Sequence, residues 1–342
     1  MTLVLTADIL IGAIGYPTRV LEELALMLRG GGLQVFSLQS HRKRRGGVRE
    51  IVKPRPLLDS VSKNLYRSLL ELLPYRPPDH VHGFVRGRST LTNARAHLGK
   101  PCVLRVDLED FFPSISSTTL QGALDQQGCD EKAAELVVSL ATVFQRLPIG
   151  LSTSPFLSNV VFLSTDYALS EYARANNLSF TRYVDDLAFS GDVNDQHFEA
   201  ISEILNNSGW SINVDKTAFM RRGGRQYVTG LYVGMADRPR VPRSLRREMR
   251  RTFHLIEKFG YECYMEDFGG EAAAMFPQRL RGWARYIASI EPDLGYPLLR
   301  RIDELVPDQY VSARDLEAYY DYGEYQVIES AEDLYGSEGP DY

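Results

Sequence analysis

The chain has 342 residues, 44% of them apolar and 24% charged, enough to bury two or three packed subdomains. It contains no run of about 18 apolar residues and no N-terminal charged segment followed by an apolar core and cleavage site, which argues against membrane insertion and export and for a cytoplasmic protein. Cys102, Cys129 and Cys263 stand far apart without Cys-x-x-Cys spacing, which argues against a zinc site or a disulfide framework. The net charge of −5 is uneven: residues 313–342 carry nine acidic side chains and one basic one, leaving the first 312 residues at +3. Basic clusters at Arg42-Lys43-Arg44-Arg45 and from Arg238 through Arg251 give that body the electrostatic footprint of a polyanion binder, although such clusters are commonly no more than solvated faces.

Taken in order, residues 17–29 place Leu21, Leu24, Met27 and Leu28 at helical spacing and stop at Gly30-Gly31-Gly32. Leu33 to Leu38 alternates as a strand, the basic cluster with Gly46-Gly47 turns the chain, and Arg49-Glu50-Ile51-Val52 returns, a hairpin with a cationic tip. Residues 57–73 are helical and close on Pro74-Tyr75-Arg76-Pro77-Pro78. Val103 to Leu108 reads as a buried strand carrying Asp107, a charge that needs a partner or a metal there. Helices are expected at 118–127 and 130–146, a loop at Leu147-Pro148-Ile149-Gly150, and a long helix from Ser154-Pro155 to about Asn176. A hairpin then presents Tyr183-Val184-Asp185-Asp186 at its turn. A helix at 196–208, strands at 210–214 and 227–233, and a basic helical stretch from Pro242 to about 305 follow, interrupted near Gly269-Gly270.

Adjacent turn aspartates are most often solvated. A third acid changes the weighing: Asp107 lies on a strand 78 residues before Asp185, and three carboxylates can hold two Mg²⁺ ions for phosphoryl transfer. Tyr-x-Asp-Asp, the upstream Asp107-Leu108-x-x-Phe111-Phe112, and the intervening Leu147-Pro148-Ile149-Gly150-x-x-Thr153-Ser154-Pro155 together resemble the palm motifs of reverse transcriptases in content, order and spacing. The resemblance covers about residues 33–305. It implies an α+β right-hand polymerase: N-terminal helix and fingers at 1–100, a palm of antiparallel sheet flanked by helices at 101–235 with part of the fingers inserted at about 118–155, a helical thumb at 236–312, and an acidic, tyrosine-rich tail at 313–342.

The resemblance also implies roles. Asp107, Leu108, Asp185 and Asp186 carry metal binding, for two Mg²⁺ ions or Mn²⁺ in their place. Asp107, Asp185 and Asp186 with Lys216, the expected proton donor to pyrophosphate, carry catalysis. Lys43 and Arg49 match the pair that grips the incoming triphosphate, with Arg44 or Arg45 able to substitute for Lys43. Asp110, Phe111 and Phe112 line the nucleotide site, Phe112 as the gate against a ribose 2′-hydroxyl, which implies deoxynucleotide substrates. Ile149 departs from the family's usual glutamine and cannot donate a hydrogen bond to the nucleotide. Asn93-Ala94-Arg95-Ala96-His97 and Val228-Thr229-Gly230 resemble the Asn-Ala-x-x-His and Val-Thr-Gly elements of retron reverse transcriptases. They imply recognition of a cognate structured non-coding RNA, template and primer at once, by Asn93, His97, Val228, Thr229 and Gly230, with Arg243, Arg246, Arg247, Arg250 and Arg251 as a phosphate track. The product would be RNA-linked DNA in anti-phage defence, with a separately encoded effector protein. The alternatives are a non-retron defence enzyme making repetitive or untemplated DNA, primed from a tail tyrosine such as Tyr319 or Tyr342, and an RNA-binding scaffold without synthesis. The tail otherwise reads as a solubilising extension, a partner-docking segment or a polyanion competing for the basic groove.

Overall fold

The computed structural model describes residues 4–42, 48–268 and 276–306. They fall into two compact units, one of residues up to Ser89 with Pro101–Phe219, the other of Thr90–Lys100 with Met220 onward.

The first unit opens with helix α1 (Ala7–Ile14), which the sequence reading did not anticipate. Thr6 caps it by accepting the Ile9 N–H, and Gly15 closes it at φ 76°. Helix α2 (Thr18–Arg29) follows as expected. The first strand, β1 (Phe36–Arg42), starts three residues later than the alternation suggested, because Gly32 donates its N–H back to the Met27 carbonyl and prolongs the turn. It pairs antiparallel with β2 (Val48–Pro54), and α3 (Pro56–Leu72) begins with proline at its first helical position.

Strands β3 (Cys102–Leu108), β4 (Ser179–Tyr183), β5 (Asp186–Gly191) and β6 (Ile212–Arg221) form an antiparallel sheet in the order β4-β5-β3-β6. Six of the seven β3 residues are buried, which explains why its sequence is continuously apolar except at Arg105 and Asp107. Helices α6 (Ser117–Gln126), α7 (Glu131–Ala141), α8 (Ser154–Ala175) and α9 (Asp195–Asn207) accompany it, α8 packing on β4, α6 and α9. The outer edge of β4 is covered by the chain at 80–82: Arg182 donates its N–H to the His80 carbonyl and accepts from the His82 N–H, each at 2.8 Å. Helix α7 ends at Ala141, not at 146. Phe144 and Gln145, at φ 50° and 59°, form a tight turn there, and the Phe144 ring stands edge-on to Phe36 at 6.2 Å. No glycine or proline marks that stop in the sequence.

In the second unit, short helix α4 (Thr90–Arg95) contacts strands β7 (Tyr227–Val228) and β8 (Leu231–Tyr232). The strand expected at 227–233 is thus a hairpin: Thr229 and Gly230, at φ 45° and 77°, make a two-residue turn of the primed kind. Residues 90–100, grouped by sequence order with the N-terminal 100, pack here because Asn93 and Thr90 bond to Thr229 and Gly99 bonds to Val233. Helices α10 (Arg243–Phe259), α11 (Tyr261–Phe268), α12 (Phe276–Ile290) and α13 (Pro292–Leu305) complete the unit, so its C-terminal part is helical as expected. No helix among the described residues is long and apolar enough to cross a membrane. Lys43, Arg44, Arg45 and the tail from residue 307 lie outside the described residues.

Candidate active site

The Tyr183-Val184-Asp185-Asp186 segment forms the turn between β4 and β5, with Tyr183 opposite Asp186 and Val184-Asp185 as the two turn residues. Val184 has φ 63°, a conformation a β-branched residue adopts at a cost of order 1–3 kcal/mol. On the other side of β5, Asp186 faces Asp107 of β3 directly, and the Asp185 carbonyl accepts the Leu108 N–H at 3.0 Å. One register therefore brings all three acids to the same end of the sheet. Leu108 is buried at its side chain, so only its main-chain carbonyl could serve a metal.

Asp107 is 4% exposed, and a carboxylate so placed needs a counter-charge. Lys216 on the adjoining β6 supplies it, with Nζ 3.1 Å from Oδ2 and 3.4 Å from Oδ1. Asp186 is held by Arg105, Nε to Oδ1 at 3.0 Å, a diagonal pair on one face of β3 and β5. Burial raises the Tyr183 phenol above its usual range and lowers the His82 imidazole to about 4, so both are neutral near pH 7.

Among the described residues no group of three or more His, Cys, Asp or Glu side chains is arranged to hold a metal. The donor chemistry nevertheless fits Mg²⁺, which takes one or two carboxylates and leaves its remaining positions to water and substrate phosphates. Asp107, Asp185 and Asp186 are the carboxylates the sheet end offers it, two of them already facing a cation, Asp107 that of Lys216 and Asp186 that of Arg105. A metal at Asp107 would take the place that the Lys216 ammonium now fills.

Phe112 stands half-buried on the short helix α5 (Phe111–Ser114), with its ring 5.4 Å from Phe111 and 6.2 Å from Phe84. Phe111 itself is buried, 5.3 Å from the Trp210 ring, and its side chain supports Phe112. Asp110 is exposed at φ 41°, a left-handed position aspartate tolerates. Ile149 gives its carbonyl to the Val52 N–H at 2.8 Å, which pins its loop to β2. A Cβ on the next residue, Gly150 at φ 116°, would lie 2.0 Å from the Val52 carbonyl oxygen, so glycine is obligatory there. Arg49 lies opposite His41 in the hairpin; Lys43, its expected partner at the triphosphate, falls outside the described residues.

The expected RNA readers are in the second unit, and four of the five are buried there. Asn93, His97, Val228 and Thr229 are 1%, 0%, 2% and 6% exposed. Asn93 Nδ2 donates to Thr229 Oγ1 at 3.4 Å, and that hydroxyl donates to the Thr90 carbonyl at 3.1 Å. The two short elements lock one another, and Gly230 shapes the turn between β7 and β8. Arg243, Arg247, Arg250 and Arg251 are exposed on α10, but Arg246 is not equivalent to them. Its Nη2 binds buried Glu291 at 2.8 and 3.0 Å, and the same carboxylate caps the Val241 N–H at 2.9 Å. Arg246 fastens α10 to the start of α13; it is not free for phosphate.

Sequence reasoning also passed over Arg105, Glu291 and the buried Arg182, Asp166 and Asn159, which lie behind the turn between β4 and β5. A charge inside the otherwise β-prone Leu178–Tyr183 run was the one visible signal for Arg182.

Comparison with known proteins agrees with the palm reading. The reverse transcriptase (RNA-dependent DNA polymerase) family matches residues 42–247. Retron Mx162 reverse transcriptase of Myxococcus xanthus is 33% identical over 298 residues, covering 77% of this chain and 59% of that protein. Retron Mx65 reverse transcriptase of the same organism is 33% identical over 267 residues, 69% of this chain and 62% of the relative. Retron Ec86 reverse transcriptase of Escherichia coli is 28% identical over 261 residues, 75% of this chain and 77% of the relative. The chain thus spans about three fifths of the length of the two Myxococcus relatives. With three acids gathered at the end of the β3-β5 pair and the family match extending over more than half its length, the chain belongs to the reverse transcriptase family, and these relatives within it are of the retron type.

Proposed function

We propose that this chain is an RNA-directed DNA polymerase of the retron type, which copies a cognate structured non-coding RNA, serving as both template and primer, into RNA-linked single-stranded DNA. The observation that carries the reading is the placement of Asp107, Asp185 and Asp186 at one sheet end beside the Lys216 ammonium. Mg²⁺ ions, or Mn²⁺, would supply activation of the attacking hydroxyl and charge neutralisation on the leaving pyrophosphate. Asp107 and Asp185 would hold them with Asp186 in support, its carboxylate kept in place by Arg105. Lys216 donates a proton to the departing pyrophosphate. Phe112 fills the space of a ribose 2′-hydroxyl and so selects deoxynucleotides; Arg49 meets the triphosphate from β2. The exposed arginines of α10 follow the backbone of RNA or its hybrid, a contact that positions without reading sequence. The similarity to retron enzymes supports a role in anti-phage defence with an effector encoded separately, in the bacterial cytoplasm.

Sequencing the nucleic acids that copurify with the wild-type protein and with Asp185→Asn tests the reading. DNA joined to one discrete RNA through a protease-resistant link, present with the wild type and absent with the variant, is expected. DNA left attached to a tyrosine-containing peptide would point to the protein-primed alternative. Undiminished DNA with Asp185→Asn would overturn the catalytic assignment.

A further inference from the structure

The strain at Val184 must be held by its surroundings, and the structure contains an arrangement that does so. Arg182, on β4 two residues before Val184, is 0% exposed, as is Asp166 of α8. The guanidinium binds that carboxylate with both sides of its fork, Nε to Oδ1 at 2.8 Å and Nη2 to Oδ2 at 2.6 Å. Its remaining nitrogen, Nη1, donates to Asn159 Oδ1 at 3.0 Å and to the Val184 carbonyl at 3.1 Å. Asn159 Nδ2 in turn donates to the Gly83 carbonyl at 3.0 Å. Gly83 touches the turn from outside: a Cβ built on it would lie 2.5 Å from the Val184 nitrogen. The Phe162 ring closes the remaining face of the guanidinium, 4.5 Å from Cζ. Two branches of this network reach the turn, one at the Val184 carbonyl and one at Gly83, which presses on Val184.

A buried ion pair is weak as a stabilising device, because desolvation offsets most of the attraction and an apolar pair of similar volume is often as good. Its distinctive property is geometric, since a planar fork bound on two sides leaves the third nitrogen one direction to point. We propose that Arg182, fixed by Asp166 and Asn159, is a positioning residue for the reaction, holding the Val184 carbonyl so that the next residue, Asp185, is presented at the sheet end. Leu108 N–H takes hold of the Asp185 carbonyl from the β3 side, so the turn is gripped at two successive carbonyls. The proposal rests on the polymerase reading only for what Asp185 is positioned to do; the grip itself is independent of it.

Two variants test the grip. Arg182→Lys keeps the charge beside Asp166 but has one nitrogen and cannot serve the carboxylate and the turn together. The double variant Arg182→Met with Asp166→Leu removes both buried charges and leaves neither charge orphaned, so its unfolding midpoint should fall only by what the lost bonds to Asn159 Oδ1 and the Val184 carbonyl cost, and the protein should still fold. In each, amide hydrogen exchange at residues 184–186 of the metal-free protein should quicken by about tenfold or more relative to the rest of the sheet. Half-saturation by Mn²⁺, followed by electron paramagnetic resonance, should shift several-fold upward. kcat for nucleotide addition should fall by about tenfold or more with KM for the deoxynucleotide changed by less than about twofold, the mark of lost positioning and not of lost binding. A folded double variant with wild-type exchange at 184–186 and wild-type Mn²⁺ affinity would reduce the network to packing and sink the proposal. Exchange and Mn²⁺ binding read the grip without polymerisation, so if even the wild-type chain added no nucleotide, the functional reading would fail while the positioning result still stood.

Discussion

Lys216 answers two demands with one ammonium. In the structure it neutralises Asp107, a buried carboxylate, from 3.1 Å, while the polymerase reading has it donate a proton to pyrophosphate. The two are compatible in sequence: a cation at Asp107 would free the lysine, whose side chain is 40% exposed, for the substrate phosphates. Lys216→Met should therefore bind Mn²⁺ more tightly, because nothing competes for Asp107, yet lower kcat by about 10²-fold through loss of the proton donor. Weaker Mn²⁺ binding in that variant, measured by calorimetry on the free protein, would contradict the competition. At this scale the acids were legible in the sequence, because a charge in an apolar strand is an anomaly that demands a partner. Arg105 and Lys216 were harder to read as those partners, since pairing across β3, β5 and β6 depends on register. Asn93 and His97 are buried inside the second unit. Their polarity suits an RNA contact, but the partner that buries Asn93 is Thr229, 136 residues away, and nothing local announces it.

Helix α10 shows how one element divides similar residues between two tasks. Its apolar positions Leu245, Met249, Phe253 and Ile256 recur at spacings of three and four and face inward, which puts Arg243, Arg247 and Arg250 outside. Arg246 falls on the border of the buried stripe and meets Glu291, 4% exposed. Arg246→Ala would leave that carboxylate with the Val241 N–H alone and should destabilise the protein by about 2–3 kcal/mol, visible as a lower unfolding midpoint. Arg247→Ala should leave stability unchanged and instead weaken RNA binding similarly for all sequences, with a shallower dependence of affinity on salt. If the two variants proved interchangeable in both assays, the division would be wrong. Element boundaries were legible where local chemistry marks them, as at Pro56 of α3 and the Gly30-Gly32 stop of α2. They were misread where it does not: α7 ends through Phe144 and Gln145 turning without glycine. The Thr229-Gly230 turn hid inside an apolar run that otherwise reads as one strand.

For the whole chain, charge distribution is the property no single element reveals. The 342 residues sum to −5, but the last 30 contribute −8 and the rest +3, so the sign of the field that an approaching RNA meets depends on that terminal segment. The segment lies outside the described residues. Attraction between exposed charges survives only within a Debye length, about 10 Å at 0.1 M salt and about 3 Å at 1 M. Removing residues 313–342 should therefore strengthen RNA binding at about 0.05 M salt by roughly tenfold and leave binding near 1 M unchanged, so that the affinities of the full and shortened chains converge as salt rises. Arg247→Ala in the shortened chain should give back part of that gain, because it removes one of the phosphate contacts whose weight the acidic segment had diminished. A shortened protein that binds RNA as the full one does at every salt concentration would mean the acidic segment does not act on the RNA-binding field, and its charges would then need a different partner. The −8 segment and the +3 body form one electrostatic system only if the gap between the two chains closes with salt, which makes the titration, and not the affinity at any one condition, the deciding measurement.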